Sequence, residues 1–160
     1  MFTKMQTPVG EMILVANERG LSAIMWLRDG KVPVEMGSED DNHPVLKEAV
    51  KQLGEYFRKE RKTFSIPLDM QGTHFQVKVW DALLTIPFGE TRTYGQIAKQ
   101  IGVPNAARAI GAAVHNNPIS IVVPCHRVIG ANGRLVGFGG GLQNKAILLR
   151  LEATQTPELW

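Results

Sequence analysis

Thr93-Tyr94-Gly95-Gln96-Ile97-Ala98-Lys99-Gln100-Ile101-Gly102-Val103-Pro104-Asn105-Ala106-Ala107-Arg108-Ala109-Ile110-Gly111-Ala112-Ala113-Val114-His115 decides how the second half of this 160-residue chain folds. Thr93 with Gln96 three positions on fits a capping box, Ile97, Ala98 and Ile101 give an apolar stripe, and Gly102 closes the helix. Val103-Pro104-Asn105 makes a tight turn, after which Asn105 is placed to cap a second helix over residues 106–115. Two short helices about such a turn make a helix-turn-helix, although a plain helical corner, the commoner object, has the same pattern. The second helix is built of small residues around a single Arg108. Its backbone can therefore approach another surface closely while one long cation projects beyond it.

Upstream, Phe75, Val79 and Leu83 mark a further helix that must end near Ile86-Pro87-Phe88-Gly89, because proline restricts the residue before it. The segment from Ser65 to Gly72, punctuated by Pro67 and Gly72, reads as a linker dividing the chain into residues 1–70 and 71–160. Before it, Phe2–Gln6, Met12–Ala16 and Leu21–Leu27 are short apolar or alternating runs. Pro8-Val9-Gly10 and Asn17-Glu18-Arg19-Gly20 separate them with turn chemistry, which predicts antiparallel strands. Polar Gly37–Asn42 reads as a loop, and Leu46, Ala49, Val50, Leu53 and Phe57 recur at helical spacing as a packing stripe. The fold class is α/β of the α+β kind. A small N-terminal antiparallel sheet with a helix precedes a helical, winged-helix-like C-terminal domain that carries the helix-turn-helix.

Charge is distributed unevenly. Residues 1–70 hold 10 Lys and Arg against 11 Asp and Glu, residues 71–150 hold 8 against 2, and residues 151–160 add two acids. The basic segment suits a phosphate-facing surface as well as an ordinary solvated face. No apolar run approaches the roughly 20 residues needed to cross a bilayer, and no leader pattern opens the chain, so a soluble, cytoplasmic protein is expected.

The single cysteine, Cys125, stands in Ile121-Val122-Val123-Pro124-Cys125-His126-Arg127-Val128-Ile129. Counting excludes an intrachain disulfide and a cysteine-rich zinc site, which leaves a buried filler or a nucleophile. The polar pair His126 and Arg127 directly after it favours the nucleophile, and a lone thiol suits a reducing compartment. His43, His74, His115 and His126 show no metal-ligand spacing, so neither a metal nor another cofactor is expected.

Pro124-Cys125-His126-Arg127-Val128 is preceded by Ala107-Arg108-Ala109-Ile110-Gly111 and Asn117-Pro118-Ile119. Gly140-Gly141-Leu142 and Leu148-Leu149-Arg150-Leu151-Glu152 follow it. Together these closely resemble the O6-alkylguanine-DNA alkyltransferases, most densely across residues 73–152, and Thr7-Pro8-Val9-Gly10 extends the likeness toward the start. The resemblance implies suicidal DNA repair, in which an alkyl group moves from guanine O6 (and alkylated thymine O4) to Cys125 and the protein is not regenerated. The implied partner is double-stranded DNA containing O6-alkylguanine, met by a monomer.

A thiolate attacks an alkyl carbon far better than a thiol, so Cys125 needs a proton acceptor. The resemblance implies that His126 takes this proton through a water while Glu152 orients the imidazole, a nucleophile, base and orienter set. It further implies Tyr94 as proton donor to guanine N3, and Arg108 as the side chain that fills the space of the extruded base. Ala106, Ala107 and Arg127 are implied at the DNA, the helix entering the minor groove, and Asn117 is implied as the hinge before the cysteine strand. Val136–Gly141, with Phe138 and Gly139, would wall the base. The carbonyls of Cys125 and Val128 would accept from its exocyclic amine, and the Gly139 amide would donate to O6. Other members often carry Ser or Ala at the position of Gly139, so glycine implies tolerance of larger alkyl groups.

A damage-binding relative without a nucleophile is at odds with Cys125, a transcription regulator leaves Pro124-Cys125-His126-Arg127 unexplained, and a cysteine hydrolase remains a chemical alternative. The absence of a long N-terminal extension implies a stand-alone repair protein rather than the type fused to a transcriptional activator.

Overall fold

A computed structural model describes residues 1–27, 36–133 and 141–153 of the chain. Its contacts divide it into two compact units, Met1–Gln71 and Gly72–Trp160.

In the first unit, strands β1 (Phe2–Thr7), β2 (Gly10–Asn17) and β3 (Gly20–Trp26) form an antiparallel sheet in the order β1-β2-β3. The turns between them fall where Pro8-Val9 and Asn17–Gly20 place them, and the Asn17 side chain accepts from the Arg19 and Gly20 amides. Helix α1 (Pro44–Phe57) packs on this sheet through Leu46, Ala49, Gln52, Leu53 and Tyr56. The buried stripe thus takes Tyr56 in place of the expected Phe57, and Gln52 in place of Val50. Gln52 tolerates burial because its amide bonds Glu48 and Ser65. Residues 66–69, expected to be linker, are tied to β3: the Leu21 amide donates to the Pro67 carbonyl, and the Asp69 amide to the Leu21 carbonyl. Gly20, with φ of +151°, makes this approach possible, since a Cβ there would run into the Pro67 carbonyl.

The second unit holds α2 (His74–Leu83), α3 (Tyr94–Gln100), α4 (Ala107–His115) and α5 (Leu142–Ala153). Capping boxes Thr73–Gln76 and Thr93–Gln96 open α2 and α3. Helix α3 ends as its sequence requires. Gly102 takes φ of +83°, and the Gly102 and Val103 amides return to the Lys99 and Ala98 carbonyls. Asn105 does not cap α4. The Ala106 amide turns back to the Val103 carbonyl, Ala106 becomes the boundary residue, and no side chain caps the helix. The Trp80 indole donates to the Ala113 carbonyl at 2.9 Å and pins α2 to α4. A short parallel ladder joins β4 (Arg92–Thr93) to β5 (Val128–Ile129), so the residue that precedes Tyr94 is tied to the strand that leaves Cys125. Among the described residues no helix is long and apolar enough to cross a membrane.

Candidate alkyl-acceptor site

The segment after α4 delivers Cys125. Asn117 ties its ends together: its amide donates to the Val123 carbonyl at 2.8 Å, and its carbonyl oxygen accepts from the Ile119 amide at 3.0 Å. Between them Ile121, a β-branched residue, is held at φ of +76°, a conformation that L side chains avoid. The chain then enters a single 3-10 turn, Cys125–Arg127, whose three side chains are all buried.

Glu152 reaches this turn from α5, where Lys145, Leu148 and Glu152 share the buried face. Its carboxylate is saturated. One oxygen accepts from His126 Nε2 at 2.6 Å and Arg127 Nη2 at 3.1 Å, the other from Arg127 Nε at 2.9 Å and the Gly89 amide at 3.4 Å. Burial alone raises the Glu152 pKa, but the hydrogen bonds and charges of His126 and Arg127 outweigh it and bring it down to about 2. An ionised carboxylate only accepts, so the shared proton sits on His126 Nε2 and leaves Nδ1 with a lone pair. Nδ1 is buried and makes no hydrogen bond with the described residues. Burial, reinforced by Arg127 and Lys145, lowers the His126 pKa against the pull of Glu152, so the imidazole is a neutral base at pH 7.

Burial raises the Cys125 thiol, while hydrogen bonds from Asn117 and Ser120 and the charge of Lys145 draw it back. Tyr94, half-buried at the start of α3, has its phenol raised by burial and by the Cys125 charge, and so keeps its proton. On α4, Ile110, Ala113 and Val114 face inward, whereas Ala107, Arg108, Ala109 and Ala112 are exposed. Arg108 makes no hydrogen bond or ion pair with a described residue.

Two family signatures cover nearly all of the chain: the 6-O-methylguanine DNA methyltransferase ribonuclease-like domain over residues 1–70, and the DNA binding domain of the same name over residues 74–154. The chain belongs to the 6-O-methylguanine DNA methyltransferase family. It is 50% identical to a Mycobacterium leprae protein named methylated-DNA--protein-cysteine methyltransferase, over 94% of this chain and 91% of that one. A Methanosarcina acetivorans protein of the same name is 49% identical, over 93% of this chain and 96% of that one. The crystal structure of Mycobacterium tuberculosis OGT in complex with DNA superposes with a TM-score of 0.87 at 46% identity, covering 98% of this chain and 94% of that one.

Seen as a member of this family, the chain brings Cys125, His126, Glu152 and Asn117 into one buried cluster, and the β4–β5 ladder ties the residue before Tyr94 to it. One expected site residue is corrected. Arg127 was expected at DNA, but it is only 6% exposed. Its Nη1 donates to the Ile86 carbonyl at 2.7 Å, Nε and Nη2 are taken by Glu152, and its guanidinium lies 5.7 Å from the Phe88 ring centroid. With these donors committed inside the fold, Arg127 braces Glu152 instead of meeting phosphate. Sequence reasoning missed Lys145 and Ser120 altogether. Phe138 and Gly139 lie outside the described residues. Among those described, no three His, Cys, Asp or Glu side chains gather as a metal site.

Proposed function

We propose that this protein repairs double-stranded DNA by moving the alkyl group of an O6-alkylguanine irreversibly to Cys125, one group per molecule. The observation that carries this reading is the state of His126: a buried neutral imidazole next in sequence to the sole cysteine, its Nε2 proton held by an ionised Glu152 and its Nδ1 left as acceptor.

The thiol proton passes to His126 Nδ1 through a bridging water. The sulfur attacks the alkyl carbon in line, the new S–C bond forms as the C–O6 bond breaks, and the electron pair leaves with the guanine. Tyr94 meets that developing charge with its phenolic proton at guanine N3; its raised pKa means that the phenol still carries this proton at pH 7. Guanine O6 is out of reach inside the base stack, so the nucleotide is extruded first. The exposed Ala107, Ala109 and Ala112 face, with half-buried Ala106 at its edge, suits close contact with a minor groove, and Arg108 suits the gap left by the base. Asn117 sets the cysteine segment, and the Val128 carbonyl accepts from the guanine amine. Alkylated thymine O4 presents the same alkyl–oxygen bond and is a second substrate. The protein acts as a monomer in the cytoplasm, where a lone thiol stays reduced.

Incubation with a duplex containing O6-methylguanine, followed by intact-protein mass, tests the reading. One methyl per molecule, mapped to Cys125 and absent from Cys125→Ala, is the expected result. Turnover without a protein adduct would instead make it a hydrolase.

A further inference from the structure

Helix α4 ends where two tasks meet. Its exposed face of small residues is the one that suits DNA, and its last turn runs directly into Asn117, whose side chain ties up the segment that delivers Cys125. The last carbonyls of a helix have no donor within it and must find one elsewhere. Here the Asn116 amide returns to the Ala112 carbonyl, and the Asn117 amide to the Val114 carbonyl. The Ala113 carbonyl between them is met from another element. The indole N–H of Trp80 on α2 donates to it at 2.9 Å, across 33 residues of sequence. Trp80 is only 1% exposed, and an indole has one donor and no acceptor, so its single polar group is committed to the end of α4.

The outer edge of the ring is confined as well. Gly72 lies so close to it that a Cβ there would stand 2.5 Å from Trp80 Cη2 and 2.7 Å from Cζ3. In the sequence Gly72 reads as punctuation of a linker, but in the fold it leaves room for the indole. A flat, rigid ring therefore spans the gap between Gly72 and the end of α4.

We infer that Trp80 is a positioning residue for alkyl transfer: by fixing the end of α4 where it joins Asn117, it sets the spacing between the helix that meets DNA and the segment that carries the acceptor sulfur. This role rests on alkyl transfer to Cys125 as proposed above. Loss of the bond leaves both parts folded but lets one shift against the other, and a misplacement of about 1 Å costs up to about a hundredfold in rate.

Three quantities separate this role from simple core filling. They are affinity for an unmodified duplex by fluorescence anisotropy, the rate of methyl transfer at saturating O6-methylguanine duplex, and the rate of Cys125 alkylation by iodoacetamide, the last two by intact-protein mass. Trp80→Phe removes the donor, and Gly72→Ala presses on the ring with the donor in place. Gln76→Ala breaks the capping box of α2 and serves as a control for lost stability. Methyl transfer should slow by about tenfold to a hundredfold in Trp80→Phe, with affinity and iodoacetamide alkylation near wild type. Gln76→Ala should stay near wild type in all three. Slowing of the same kind in Gly72→Ala would support the role too, and that variant decides alone should Trp80→Phe fail to fold. Wild-type transfer rates in both would overturn the inference. So would an equal loss in Gln76→Ala, or a matching fall in iodoacetamide alkylation, which would mean that the acceptor segment itself had loosened. Absence of transfer in the wild-type protein would instead sink the alkyltransferase reading on which this role rests.

Discussion

A carboxylate that accepts from both an imidazole and a guanidinium orients the first while the second keeps it ionised, and Glu152 does both within one buried cluster. Arg127 neutralises Glu152 and so limits how far the carboxylate raises the basicity of His126. Removing Glu152 reverses this economy. Glu152→Ala leaves the Arg127 guanidinium buried without its partner and should cost about 3–5 kcal/mol of unfolding free energy, measured by urea denaturation. The two residues also set the acid sensitivity. The folded His126 pKa lies below its unfolded value of about 6.5, so the unfolded chain binds the extra proton and stability falls as pH drops below that value. Glu152 shifts down as well. Its contribution is complete above the unfolded value of about 4.3 and is lost as pH falls toward the folded value of about 2. Unfolding free energy should therefore decline between about pH 7 and about pH 5, and decline less in His126→Gln. Equal slopes in the two proteins would assign the acid sensitivity to another group.

At the scale of elements, the proposed reading gives α4 the contact with DNA and the segment behind it the presentation of sulfur. The Trp80 bond to Ala113 holds the inner face of α4, which leaves Arg108 on an outer face of small residues. If Arg108 supports an extruded nucleotide, Arg108→Ala should slow repair of duplex DNA more than transfer from the free alkylated base. Equal slowing on both substrates would give it a different role. The segment behind α4 contains the strain at Ile121. At an ordinary position Ala is more stable than Gly by about 0.5–1 kcal/mol, but the left-handed conformation costs an L residue about 1–2 kcal/mol. The order should therefore invert here, with Ile121→Gly more stable than Ile121→Ala by roughly 0.5–1 kcal/mol in thermal or urea unfolding. The helix-turn-helix was legible because its signals are local: Thr93, Gln96 and Gly102 act within a turn of themselves. Asn105 misled because the backbone turn from Val103 to Ala106 took the boundary one residue further. Arg127 and Lys145 were illegible for a different reason. Their partners, Glu152, Ile86 and Val128, lie 17 to 41 residues away, and a cation in a basic segment reads as phosphate-facing until packing turns it inward.

The reaction itself bears on the stability of the whole protein. Cys125 is 5% exposed, so an alkyl group on its sulfur enters a filled space. Overpacking of this kind costs about 1–3 kcal/mol. The strain has a defined outlet. Asn117 joins the end of α4 to the Val123 carbonyl two residues before the cysteine, and Ile121 within that loop is already held in an unfavourable conformation. Alkylation should therefore loosen α4 first. The methylated protein should melt lower, by about 2–4 °C for each kcal/mol lost in a chain of this size, and its Ala107–His115 amides should exchange faster with solvent. A benzyl adduct is larger and should lower the transition further than a methyl adduct. Calorimetry on the two adducts checks the order, and hydrogen exchange followed by mass spectrometry checks the location. Superimposable melting curves for free and alkylated protein would show that the pocket accepts the group without strain, and α4 would then be no part of the response.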